Sequence, residues 1–142
     1  LDGGPTVVGI ESTVLSLAGE APLLLRPGMI SREDLEARIG PVGILLDAGE
    51  GAHSSPGLHR KHYSPRTPLL LVEGGALPPS GKGVYLAHGA TMPPDPASYA
   101  AALYATLHEM DSKGLDWIAV ERPPLGPEWD AIRDRLTRAM SR

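Results

Sequence analysis

Leu69-Leu70-Leu71-Val72-Glu73, Gly83-Val84-Tyr85-Leu86-Ala87 and Trp117-Ile118-Ala119-Val120-Glu121 are three short apolar runs, and what separates them decides the fold. Each has the length and β-branched or aromatic content of a strand. Between the second and third lies Pro96–Lys113. There Tyr99, Leu103, Leu107 and Met110 recur at steps of four, four and three, the period of one helical face. After the third run, Pro127–Met140 carries Trp129, Ile132, Leu136 and Met140 on one face, with Pro127 suited to a first helical turn. Strands alternating with helices predict a parallel sheet with right-handed crossovers, a small α/β unit over residues 69–142 in two or three layers. No internal repeat is present.

Upstream the pattern changes. Thr6–Val8, Ser12–Leu17 and Pro22–Leu25 read as short strands punctuated by Gly and Glu-Ala turns. Arg26-Pro27-Gly28 ends the third. Ser31-Arg32-Glu33-Asp34 then reads as a capped helix start with acids in its first turn. Leu35 and Ile39 would share a face, and Gly40 would stop the helix. Some 40 residues rarely hold a core of their own, so this section is expected to need partners outside the chain. Val42–Leu46 is one more strand. From Asp47 to Pro68 hydrophobic period is lost, and a stretch that long reads as a functional loop or linker. Its Ser54-Ser55-Pro56-Gly57 and His59-Arg60-Lys61-His62-Tyr63-Ser64-Pro65 make it the basic, His-rich part of the chain.

Composition bounds the function. The 17 Gly and 15 Pro are close to the range of low complexity, but 42% hydrophobic residues argue for a loop-rich globular chain. A formal charge of −4 excludes a strongly basic nucleic-acid binder. With zero Cys there is no disulfide scaffold, thiolate catalysis or Cys-ligated zinc. Asn and Gln are absent too, which fits a thermophilic source. No apolar run reaches the ~18 residues of a membrane span, and Leu1-Asp2-Gly3-Gly4 is unlike a signal peptide, so a cytoplasmic protein is expected. Without an initiator Met, the chain reads as a piece of something longer.

Several segments invite chemistry. Gly74–Gly83 suggests a phosphate loop, but Ala76 stands where a Walker loop needs Gly, and Gly83 where it needs Ser or Thr. A turn between strands is the better reading. His59 and His62, with Asp47 and His53 upstream, lack helical geometry and read as loop-bracing imidazoles rather than metal ligands. His88 and His108 are isolated and read as structural. Ser12 in Glu11-Ser12-Thr13 has no nearby base to make it a nucleophile. It is either a polar-ligand contact or an ordinary strand hydroxyl. Arg26 is delivered to a strand end by Leu23-Leu24-Leu25 and fixed by Pro27-Gly28. Its guanidinium suits phosphate or carboxylate, or else a surface ion pair with Glu11 or Glu20. Arg133, Arg135, Arg138 and Arg142 read as a solvated helix face, with Asp134 and Arg138 paired four apart.

In order along the chain, Leu1-Asp2-Gly3-Gly4-Pro5, Gly9-Ile10-Glu11-Ser12-Thr13-Val14 and Leu25-Arg26-Pro27-Gly28 resemble the end of a YrdC-type domain. Ser55-Pro56-Gly57-Leu58 with Lys61-His62-Tyr63-Ser64-Pro65 resembles the interdomain linker of the long, two-domain threonylcarbamoyl-AMP synthases of the YrdC/Sua family. Ala102-Leu103-Tyr104 through Leu107, Asp111, Gly114, Asp134-Arg135-Leu136 and Arg138-Ala139 resembles their C-terminal α/β domain.

The resemblance implies residues 1–46 as the tail of the catalytic domain, 47–68 as a gating linker and 69–142 as a small Rossmann-like domain. It implies synthesis of threonylcarbamoyl-AMP from L-threonine, bicarbonate and ATP, with release of pyrophosphate, for threonylcarbamoyladenosine modification of tRNA by downstream machinery. Ser12 would contact L-threonine, and Arg26 and Tyr63 would contact ATP, with Mg²⁺ carried by the ATP and no protein metal site. The catalytic residues are not assigned. The family's Lys-x-Arg and Ser-x-Asn elements have no counterpart here, so the segment is expected to be inactive without a preceding YrdC-type region. The Gly126–Ile132 motif departs from the family's smaller-residue version, so Trp129 is read as core. The alternative is a non-catalytic α/β module that binds a nucleotide or protein partner. Negative charge and the lack of a basic, aromatic platform argue against direct tRNA binding.

Overall fold

The computed structural model describes residues 9–10, 12–44, 64–78 and 80–140. The expected strand Thr6–Val8, the linker through Tyr63 and the histidines His53, His59 and His62 lie outside them. The elements are β1 (Val14–Ser16), β2 (Leu23–Arg26), α1 (Arg32–Ile39), β3 (Gly43–Ile44), β4 (Leu69–Val72), β5 (Gly83–Leu86), α2 (Pro96–Asp111), β6 (Trp117–Glu121), a 3₁₀ turn (Pro127–Trp129) and α3 (Asp130–Ala139).

The three decisive runs form one sheet in the order β4-β6-β5, with both pairings parallel. The sequence expectation of a parallel α/β unit holds. Leu69 and Leu71, Val84 and Leu86, and Ile118 and Val120 alternate along their strands. All six join the cluster built from Tyr99, Leu103 and Leu107 of α2 and Ile132 and Leu136 of α3. Asp95 caps α2 by accepting from the Ser98 N–H at 2.8 Å, and Pro96 occupies the first turn, where a missing donor costs nothing. The final helix starts differently from its reading. Pro127–Trp129 makes a 3₁₀ turn, and the α-helix begins at Asp130.

In the first section, β1 pairs antiparallel with β2, and β2 parallel with β3. Ser31 caps the helix as expected, and Asp34 completes a capping box with it. The Ser31 Oγ accepts from the Asp34 N–H at 3.1 Å, and Gly40 closes the helix at φ 81°. One detail differs. Leu35 and Ile39 share a face, but α1 buries no residue, and Ile39 is 47% exposed. Capping and charge hold the ends of this helix, while its apolar face is only half-covered at Leu35 and exposed at Ile39.

The two sections meet along α2 and α3. Ile10 is 4% exposed and sits in the same cluster as Tyr99 and Trp129. Beside it, a Cβ on Gly9 would lie 1.8 Å from the Ala100 carbonyl oxygen, so only glycine allows this approach. No helix of the described residues is long and apolar enough to cross a membrane.

Candidate functional site

Ser12 and Arg26 are fourteen residues apart in sequence, and the strand pairing and the turn after Arg26 bring their backbone segments together. The β1–β2 pairing sets Val14 opposite Arg26. Gly28 completes the approach: a Cβ there would lie 2.4 Å from the Ser12 carbonyl carbon and the Thr13 nitrogen. The turn after Arg26 therefore packs its backbone directly on the Ser12-Thr13 backbone. Thr13 ties the two together. Its hydroxyl donates to the Ile30 carbonyl at 2.9 Å and accepts from the Ile30 N–H at 3.1 Å. Ser12 itself is exposed.

Helix α3 supplies the other wall. The Asp134 carboxylate accepts from Arg135 Nη1 at 2.6 Å and from Arg138 Nε at 2.8 Å. Arg135 Nη2 also donates to the Ser12 carbonyl at 3.4 Å. These are not solvated surface charges. The side chains of Arg135, Asp134 and Arg138 are only 11%, 19% and 21% exposed. The Asp134–Arg138 pair was legible at its four-residue spacing, but the solvated-face reading fails at Arg135. The signal was available: Ile132, Arg135, Leu136 and Ala139 follow i, i+3, i+4, i+7, so Arg135 belongs to the stripe that faces inward.

Arg26 lies within the field of this group. Burial lowers its pKa first, and the neighbouring positive charge of Arg135 adds to that; Asp134 opposes, and Arg138 adds a further lowering. Three guanidinium groups thus surround one carboxylate. Guanidinium groups suit the binding of phosphate or carboxylate. Glu11 lies outside the described residues, and Glu20 is not among the charges that shift Arg26.

A cavity of about 450 Å³ is lined in part by Gly28 and Met29. Ile10, Met29, Ala100 and Ile132 make it apolar, and Glu33 and Glu128 lie in its wall. Asp130 nearby has its pKa raised, mainly by burial and further by Glu33 and Glu128, against a lowering by Arg133. His88 is structural, as read: its ring packs edge-on to Trp129 at 5.1 Å, and its Nε2 lies 3.0 Å from the Pro94 carbonyl. Trp129, 4% exposed, is core. Among the described residues no three His, Cys, Asp or Glu side chains are grouped to hold a metal ion.

Residues 30–141 match the family described as threonylcarbamoyl-AMP synthase, C-terminal domain. The chain belongs to this family. It is 38% identical to a threonylcarbamoyl-AMP synthase of Bacillus subtilis, an alignment covering 98% of this chain and 47% of that protein. A Pyrococcus abyssi protein of the same name is 30% identical over 98% of this chain and 48% of its own length. The structure of P. abyssi Sua5 complexed with L-threonine superposes with a TM-score of 0.81 at 26% identity, covering 97% of this chain and 48% of that one. A doubly substituted form of the same P. abyssi protein gives 0.80. The chain spans about half the length of the curated relatives it matches. The family match begins at residue 30, after Glu11-Ser12-Thr13 and Leu25-Arg26-Pro27-Gly28, while the alignments to the two relatives cover 98% of this chain.

Proposed function

We propose that this chain is the C-terminal portion of an L-threonylcarbamoyladenylate synthase. The full protein would join L-threonine, bicarbonate and ATP into threonylcarbamoyl-AMP with release of pyrophosphate, feeding threonylcarbamoyladenosine modification of tRNA. Ser12 contacts the threonine. Arg26 contacts the ATP, and Tyr63 reaches it from the linker. Mg²⁺ arrives with the nucleotide rather than in a protein cage.

The observation that supports this most is the packing of the Ser12-Thr13 turn on the Arg26-Pro27-Gly28 turn, with Gly28 too close to Ser12 for any side chain. It brings the backbone of Ser12 against the turn that follows Arg26, which is consistent with the two residues serving one site. Adenylate formation develops negative charge on the α-phosphate, and a fixed, part-buried cation meets that charge without reorganising. The neighbouring Arg135 and Arg138 raise the local positive potential further.

Calorimetric titration of ATP into the full-length protein and its Arg26→Ala variant tests the assignment. Losing a charge-assisted contact weakens ATP binding about tenfold or more. Undiminished affinity in Arg26→Ala would return the chain to the alternative, a non-catalytic nucleotide- or partner-binding module. Residues 1–142 alone are expected not to release pyrophosphate from the three substrates.

A further inference from the structure

We infer that Arg135 is a positioning residue for this reaction: from α3 of the C-terminal domain it holds the Ser12 turn in the geometry that receives L-threonine. This deepens the functional reading above and rests on its assignment of Ser12.

Three observations carry it. Arg135 bonds α3 to the Ser12 segment, through Nη2 to the Ser12 carbonyl at 3.4 Å, across 123 residues of chain. Its other nitrogen, Nη1, is anchored on Asp134 at 2.6 Å, and Asp134 is held in turn by Arg138 at 2.8 Å. The guanidinium is therefore oriented before it meets the Ser12 carbonyl, as a strut whose base is fixed on the helix. Finally, a shift at Ser12 has little freedom to stay local. Gly28 lies against the Ser12 and Thr13 backbone, and Thr13 clamps Ile30 with two hydrogen bonds. Moving Ser12 moves the turn that fixes Arg26.

The planar fork of arginine matters here. It spans two acceptors, the Asp134 carboxylate and the Ser12 carbonyl, with separate nitrogens. A lysine ammonium is a single point on a flexible stem; it can keep the Asp134 pairing but does not bridge both. A role confined to stability and a role in positioning thus separate on one substitution. Truncation to alanine also strips Asp134 of a partner in a part-buried site, so Arg135→Ala combines both effects.

The test uses the full-length protein with Arg135→Lys, Arg135→Ala, Ser12→Ala and Arg133→Ala. Arg133 lies on the same helix but donates to the Pro123 and Pro124 carbonyls within its own domain. Arg135→Lys is expected to raise the KM for L-threonine about tenfold while kcat changes less than about twofold. Its Tm should stay within about 2 °C of wild type, and Arg133→Ala should leave the KM unchanged. If Ser12→Ala raises that KM and Arg135→Lys leaves it at the wild-type value, the positioning role is overturned and the substrate reading stands. If Ser12→Ala leaves it unchanged, the substrate reading falls, and the inference with it.

Discussion

Replacing Tyr99 with phenylalanine removes one oxygen atom and is expected to stabilise the fold. Tyr99 is 0% exposed, and its hydroxyl is buried with no hydrogen-bond partner among the described residues. Leaving a buried hydroxyl unpaired costs about 1–3 kcal/mol, and phenylalanine removes that cost while filling nearly the same space. The ring contacts survive, since the edge-on packing on Trp129 at 5.5 Å needs only the ring. The net expectation at pH 7 is a gain of up to about 2 kcal/mol, read as a higher urea midpoint at unchanged slope.

A second readout separates this cause from generic repacking. Burial, aided by the charge of Glu121, raises the Tyr99 phenol from 10.0 to about 12. The folded state therefore holds this proton more tightly than the unfolded state. The associated stability is complete below pH 10 and is lost as pH rises towards 12, to the extent of about 3 kcal/mol. Phenylalanine has no such proton. The advantage of Tyr99→Phe should thus widen by about that amount between pH 10 and 12, while the other titrating groups cancel in the difference. A variant less stable than wild type by more than about 1 kcal/mol at pH 7 would mean the hydroxyl is bonded, and the reasoning would be refuted. So would a gap that stays constant with pH.

Two other expectations concern the edges of the core. A Cβ on Gly83 would lie 2.0 Å from the Trp117 ring, whose Nε1 donates to the Ser80 carbonyl at 3.0 Å. Gly83→Ala should therefore cost about 1–3 kcal/mol by thermal unfolding, with a shift in tryptophan emission; an unchanged Tm would exclude the close stacking. Asp111 accepts from the Thr67 N–H at 2.7 Å, which more than offsets burial and lowers its pKa. Its stabilisation is present above the ordinary 3.8 and is lost as pH falls through the lower folded value. Asp111→Ala should cost about 1 kcal/mol at pH 7 and flatten the acid arm of a Tm-against-pH curve.

The α/β unit was legible because its signals are local. Leu69–Val72, Gly83–Leu86 and Trp117–Glu121 each carry strand composition, and Tyr99, Leu103 and Leu107 carry a helical period that burial then satisfied. The Ser31 cap needs only four residues and was legible, while the return bond from Asp34 that makes it a capping box was read only as an acid in the first turn. What stayed hidden depends on distant parts of the chain. Arg135 looks like any helical arginine until Ser12 arrives beside it. That the Leu35–Ile39 face leaves Ile39 exposed depends on what packs there, which no local pattern states. Ser12 and Arg26 could be named from resemblance, but their adjacency rests on Gly28, whose small size reads in sequence as an ordinary turn.

The strand order has a consequence for how the molecule is made. β6 is the middle strand of its sheet and the last of the three to leave the ribosome. β4 and β5 do not pair with each other; each pairs with β6. Until Glu121 has emerged, two apolar strands must wait with open edges, and such waiting is when nascent chains aggregate or recruit chaperones. A ribosome stalled before Trp117 would therefore carry two sheet strands and no sheet. The domain's vulnerability in the cell is set by the timing of five residues rather than by the strength of its finished core.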